Sequence, residues 1–156
     1  MRTTTEVGPE SPVALIANRK PVQVEGNCTI GEAARIMQAS NISSAIVASH
    51  LAMGPGIVTE RDLARALAAG LGPGDALSDI AVLHPVAVSS SMSIVDTAAK
   101  MLRDEIRHLL VVDDGAVVGI VSIRDVMAAL LHSLRPETWV ETLRDAVAGP
   151  TEIWVG

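Results

Sequence analysis

The sequence predicts an α/β (α+β) fold built from two packed copies of one β-α-β-β-α unit. Three observations predict it. First, Gly56-Ile57-Val58-Thr59-Glu60-Arg61-Asp62-Leu63 returns almost unchanged as Gly119-Ile120-Val121-Ser122-Ile123-Arg124-Asp125-Val126. Each copy reads as a β-branched buried strand running straight into a helix. Second, Pro21-Val22-Gln23-Val24 returns as Pro85-Val86-Ala87-Val88, 64 positions on. Third, that offset also pairs Ile30 with Ile94, Ala34 with Ala98, Met37 with Met101, Ile42 with Ile106 and Val47 with Val111. The strand-to-helix stretches are 63 apart, so one residue is gained or lost between them, near His50 to Pro55. A long period present only twice marks a duplicated half-domain rather than a solenoid.

Residues 1–11 are polar and read as a flexible arm. The first unit spans 12–70. Val13 to Asn18 reads as a short helical turn leading into Lys20-Pro21, and Val22 to Val24 as a short strand. Thr29-x-x-Glu32 has the capping-box pattern. It starts a helix to about Ala39, with Ile30, Ala33, Ala34 and Met37 at helical spacing. Ser44 to Ala48 is a buried strand, Leu51 to Pro55 a turn, and Gly56 to Val58 the return strand. Glu60 to Ala69 is the next helix, with Gly70 as its stop.

Residues 71–75 form a Gly-Pro connector too short for a free tether, so the halves should pack together. The second unit spans 76–134. Ala76 to Leu83 repeats the leading turn before His84-Pro85, and Ser93-x-x-Asp96 caps a helix to about Arg103. His108 to Val112 is a strand, Asp113-Asp114-Gly115 a tight hairpin turn, Ala116 to Ser122 the return strand, and Arg124 to Ser133 the closing helix. Residues 135–156 depart from the repeat. Pro136 breaks the helix, and Glu137 to Val147 starts another, with Trp139, Leu143 and Val147 on one face. Ile153-Trp154-Val155 reads as an edge strand. This tail either covers one side of the domain or makes a dimer contact, where Trp is enriched.

Composition narrows the function classes. Hydrophobic residues make up 49% of the chain but aromatics only 1%, with no Phe or Tyr. The core is therefore aliphatic, and a ring-shaped ligand would be clamped by Ile and Val. A formal net charge of −6 argues against a nucleic-acid surface, which must neutralise phosphates. The lone Cys28 forms no internal disulfide and has no neighbouring cation to activate it. No metal-ligand spacing exists among the scattered His50, His84 and His132. No Walker or dinucleotide glycine loop appears, nor a nucleophile elbow. Apolar runs are far below the roughly 20 residues that span a bilayer, and the first residues lack the apolar stretch of a signal peptide. The expectation is a soluble cytoplasmic protein with no membrane contact.

Taken singly, each hydroxyl–aspartate pair is a helix cap. Doubled in matching contexts, the pairs suit a ligand. A helix N-terminus favours an anion such as phosphate; Thr59 or Ser122 adds a hydroxyl there. Asp62 or Asp125 offers two acceptor oxygens to the vicinal diol of a ribose. Exposed backbone at Pro21-Val22 and Pro85-Val86 is placed to read a base edge. Together these parts specify a nucleotide better than any reaction.

The ordered Pro-Val-x-Val, helix, two strands and Gly-Ile-Val-(Ser/Thr)-x-Arg-Asp, occurring twice over residues 12 to 134, resembles the cystathionine-β-synthase (CBS) motif. A tandem pair of these is a Bateman module. The resemblance implies pseudo-two-fold packing and two clefts for adenosyl compounds: AMP, ADP, ATP or S-adenosylmethionine. It implies phosphate contact at Thr59 and Ser122, ribose contact at Asp62 and Asp125, and bases near Pro21-Val22 and Pro85-Val86 respectively. Arg107 and His108 align with Ser43 and Ser44, so cations come from one half only and the clefts should be unequal. Arg107 and His108 are expected in the Thr59–Asp62 cleft, unless Arg107 is merely a solvated charge. Arg61 and Arg124 are either phosphate ligands or partners of nearby acids.

The function expected is therefore a non-catalytic regulatory module that senses energy or metabolite state, with an adenine nucleotide or S-adenosylmethionine as ligand, no obligatory cofactor and no metal. The alternative is a protein-interaction subunit with vestigial clefts, docking on an unidentified enzyme or transporter. A homodimer is expected through the small-residue faces Leu63-Ala64-x-x-Leu67-Ala68 and Val126-x-x-Ala129-Leu130.

Overall fold

A computed structural model describes residues 7–48 and 54–133. The turn around Leu51, His50 and the whole tail with Trp139, its helix and its edge strand lie outside the described residues.

Each unit folds as the repeat requires. In the first, strands β1 (Gln23–Glu25), β2 (Ser44–Ala48) and β3 (Gly56–Thr59) form a sheet in that order, with helices α1 (Ile30–Ala39) and α2 (Glu60–Ala68). In the second, β4 (Ala87–Ser89), β5 (His108–Asp113) and β6 (Ala116–Ser122) form the equivalent sheet, with α3 (Ile94–Arg103) and α4 (Ile123–Ser133). The first pairing in each sheet is parallel and the second antiparallel, Gln23 opposite Ile46 and Ala87 opposite Leu110. The first strand begins one residue later than its Val-x-Val pattern suggested. The Val22 carbonyl still accepts from the Ile46 amide. Asp114 and Gly115, both at positive φ, close the β5–β6 hairpin.

The helices start where their caps are. Thr29 and Glu32 complete both arms of a capping box, and Ser93 accepts from the Asp96 amide. Gly70, at φ +83°, follows α2, as expected of a residue that adopts the left-handed region freely.

The cores do not follow the repeat boundaries. A short 3₁₀ turn at Val13–Leu15 opens the first unit, yet Val13 is buried among Val88, Ile94, Met101 and Leu109 of the second. Its counterpart at Leu77–Asp79 places Leu77 among Val24, Ala33, Met37 and Val58 of the first. Each leading turn fills the other unit's core. Backbone bonds hold the exchange: the Val13 amide donates to the Met92 carbonyl, and the Leu77 amide to the Cys28 carbonyl. A third cluster of Ile46, Ile57, Leu110 and Ile120 joins the two sheets; its members are repeat equivalents.

Residues 8–11, read from the sequence as part of a free arm, are tied down. Ser11 Oγ accepts from the Gly8 amide, and the carbonyls of Ser11 and Pro9 accept from Ile94 and Val95. Val126 is 0% exposed and belongs to the second core, which removes it from the helix face proposed for a homodimer. Leu67, on the corresponding face of α2, is 76% exposed.

Candidate functional site

Two cavities lie between the units. One, of about 620 Å³, is lined by Thr59, Arg61, Asp62, Pro85, Val86, Arg107 and His108. The other, of about 670 Å³, is lined by Pro21, Val22, Ser122, Arg124 and Asp125, with Ala34, Met37 and Ile42 forming part of its apolar wall. Every candidate residue from the sequence lines at least one of them. The grouping crosses the repeat: each Pro-Val segment lies with the hydroxyl–aspartate pair of the opposite unit, not with its own.

The crossing has a backbone cause. Asn18, just before Pro21, pairs with Ile120 of β6: its amide donates to the Ile120 carbonyl at 2.8 Å, and its carbonyl accepts from the Ile120 amide at 3.1 Å. Val82 pairs with Ile57 of β3 in the same way, at 2.9 and 3.0 Å. The glycines that begin each repeated stretch make this possible. A Cβ on Gly119 would sit 2.8 Å from the Asn18 carbonyl oxygen, and one on Gly56 3.0 Å from that of Val82. Sequence reading found these glycines but had no signal for what passes over them.

The hydroxyl–aspartate pairs are complete capping boxes. The Thr59 amide donates to Asp62 Oδ2 at 2.9 Å and the Thr59 hydroxyl to the same oxygen at 2.6 Å; the Asp62 amide donates back to Thr59 Oγ1 at 3.4 Å. Ser122 and Asp125 repeat this at 2.8, 2.6 and 3.2 Å. The cap bonds all fall on Oδ2, which leaves Oδ1 of each aspartate outside the cap. Asp62, at 8% exposed, is buried, and its Oδ1 lies 3.8 Å from Arg65; Asp125 is exposed.

The caps change the expected phosphate chemistry. In both pairs the hydroxyl proton is committed to the carboxylate. The first helical amides are also engaged: Glu60 donates to the Ser43 carbonyl and Ile123 to that of Arg107. Arg61, Arg65, Arg107 and Arg124 all line the first cavity. Arg61 and Arg124 make no ion pair among the described residues; Arg103 pairs with Asp104 at 3.2 Å and lies outside both cavities.

His108 lines both cavities. Its Nε2 is 3.1 Å from Ser43 Oγ, a hydrogen bond between the units. Burial depresses its pKa; Asp125, Glu60 and Asp62 oppose that shift, and Arg107 adds to it. Sequence reading placed His108 in one cleft only, because the repeat alignment does not reveal that Ser43, Glu60, His108, Ser122 and Arg124 form a shared wall. Among the described residues no group of three or more His, Cys, Asp or Glu side chains is arranged to hold a metal, and no helix is long and apolar enough to cross a membrane.

Two sheet-and-helix units with clefts between them and a hydroxyl–carboxylate cap lining each cleft form a tandem-repeat α+β architecture. The chain belongs to the CBS domain family, whose sequence model it matches over residues 13–69 and again over 77–132. A 17.7 kDa protein of Acidianus ambivalens is 34% identical over 76% of this chain and 73% of its own length. The Arabidopsis thaliana CBS domain-containing protein CBSCBSPB2 is 30% identical over 116 residues; this chain spans 22% of that relative's length. Among solved structures, a CBS domain protein of Pyrobaculum aerophilum complexed with AMP superposes with a TM-score of 0.67 at 28% identity, covering 85% of this chain and 98% of that one. The CBS domain pair of protein MJ0100, in complex with 5′-methylthioadenosine and S-adenosylmethionine, gives 0.68 at 29% identity, covering 77% and 95%.

Proposed function

We propose that this chain is a non-catalytic regulatory module that binds an adenosyl compound in the clefts between its two CBS units and reports its concentration. The observation that carries this reading is the doubled cap, Thr59–Asp62 and Ser122–Asp125, each lining an inter-unit cavity. The adenosyl ligands of the two structural relatives support it. The aspartate oxygen outside each cap suits a ribose diol, that of Asp62 being shared with Arg65 at 3.8 Å; the Pro-Val segment of the opposite unit offers backbone for a base edge, and aliphatic walls clamp the ring. A second copy of the chain, in a homodimer, is the partner the exposed α2 face at Ala64, Leu67 and Ala68 suits best.

A thermal-shift series with AMP, ADP, ATP, S-adenosylmethionine and NAD tests the reading. A ligand held only by the folded state adds RT ln(1 + [L]/Kd), about 2.7 kcal/mol at a hundredfold excess over Kd. The expected result is a rise in melting temperature with at least one adenosyl compound, lost in Asp62→Asn or Asp125→Asn, each compared with its own ligand-free baseline. Asparagine keeps a cap acceptor and removes the charge. Absence of any shift at millimolar ligand would overturn the sensor reading and favour a protein-docking subunit.

A further inference from the structure

The two clefts are built from the same repeat but differ sharply in charge. The Thr59–Asp62 cleft gathers four arginines, Arg61, Arg65, Arg107 and Arg124, against the carboxylates Glu60 and Asp62. Asp62 is moreover occupied by its cap and by Arg65. The Ser122–Asp125 cleft has Arg124 alone against Glu60 and Asp125, and carries the neutral amides of Gln38 and Asn41. The difference follows from sequence positions that have diverged between the repeats. Arg107 and His108 correspond to Ser43 and Ser44, and Arg65 corresponds to Ala128. His84 corresponds to Lys20, which is exposed and lines neither cavity.

We infer that the clefts divide ligands by charge: the Thr59–Asp62 cleft takes an adenosyl compound with a di- or triphosphate chain, and the Ser122–Asp125 cleft takes an uncharged or cationic one. This rests on the adenosyl reading above. The physical reason is the balance of fixed charges. With the Glu60, Asp62, Ile123 and Asp125 amides and both cap hydroxyls already engaged, neutralising a polyphosphate falls mainly to side chains. Arginine matches phosphate oxygens in a bidentate geometry. The first cleft has two more arginines than carboxylates; the second has one more carboxylate than arginines. A polyphosphate in the second cleft would face Asp125 with a single cation to offset it, whereas a sulfonium or a neutral nucleoside meets a weakly acidic wall.

Calorimetric titration of the full chain tests the division, with ATP, adenosine and S-adenosylmethionine as probes. Arg65 and Arg107 are both exposed, so Arg65→Ala/Arg107→Ala should keep the fold, as an unchanged melting temperature would verify. The double variant is expected to lose roughly ten- to a hundredfold in ATP affinity, the range for hydrogen bonds to charged groups, and little for S-adenosylmethionine. Asp125→Asn is expected to do the reverse. Raising salt should weaken the binding of both ATP and S-adenosylmethionine and leave that of adenosine largely unchanged. Unchanged ATP affinity in the double variant, or mutual displacement of ATP and S-adenosylmethionine from one cleft, would overturn the inference. Inorganic pyrophosphate separates the two readings. Its binding, lost in the double variant, would support the charge division even if no adenosyl compound bound, and only the proposed function would then fail. Pyrophosphate binding that ignores the arginines, or no binding at all, would overturn the division itself.

Discussion

Replacing Gly119 by alanine probes the crossing that builds the second cleft. The new Cβ would lie 2.8 Å from the Asn18 carbonyl oxygen and 3.2 Å from the Ala17 Cβ. Ordinary contact begins near 3.4 Å, so the segment must retreat by roughly 0.6 Å. The obstacle is backbone, which cannot turn aside as a flexible side chain would. The retreat loads both hydrogen bonds between Asn18 and Ile120. At about 0.5–1.5 kcal/mol net each, weakening or losing the pair costs roughly 1–3 kcal/mol. At about 2–4 °C per kcal/mol for a chain of this size, the melting temperature should fall by roughly 2–12 °C. Gly56→Ala, with its nearest contact at 3.0 Å to the Val82 carbonyl oxygen, should fall less. Gly74→Ala, whose Cβ meets nothing within 4 Å, should stay within about 0.5 kcal/mol of wild type. Urea titration of the three variants provides the assay. A Gly119→Ala midpoint equal to that of Gly74→Ala would refute the argument that backbone contact fixes glycine there.

Two further outcomes follow from the packing. Leu77→Ala should cost about 2–5 kcal/mol as a buried truncation, and hydrogen exchange should quicken first in α1 and β2 of the first unit; quickening confined to α3 and β5 would contradict the exchanged cores. The depressed pKa of His108 means that the unfolded chain binds its proton more readily than the folded one. Stability should therefore fall as pH drops below the ordinary histidine value of about 6.5, and His108→Gln should flatten that slope between about pH 7 and 5 in denaturant midpoints. Glu32 and Asp104, whose pKa values are lowered by Thr29 and Lys100 respectively, act in the same direction at more acidic pH, below the ordinary carboxylate range. A wild-type slope matched by the variant would remove His108 from the account.

Much of this fold is legible in the sequence, because local chemistry sets it. Thr29-x-x-Glu32 and Thr59-x-x-Asp62 name their helix starts, and Asp114-Gly115 names its hairpin. The repeat offset pairs residues that meet in the sheet-joining cluster, such as Ile46 and Leu110. What is not legible is partnership at long range. Val13 and Leu77 are apolar residues in short turns, and nothing in their periodicity says that each fills the opposite core. The same gap explains the crossed clefts: Pro21 sits beside Ser122 because Asn18 pairs with Ile120, a backbone bridge with no side-chain signature. His108 on the shared wall is a further case. Its alignment with Ser44 marks it as different but not as central. The dimer face misplaced Val126, since the helical spacing of an apolar residue fits a core and an interface equally well.

The exchanged leading turns bear on how such a chain arose. A protein holding one unit alone would leave its own core short of a residue and its own turn without a socket. Two such chains would complete each other by reciprocal domain swapping, a low-cost route to a dimer. Joining them through the 71–75 segment fixes the two sockets in one molecule, at an effective concentration on the order of millimolar. The fused chain then needs no encounter to close its cores. Within one chain the two sockets and the two clefts are encoded separately and can differ, which those of identical subunits in a symmetric dimer cannot.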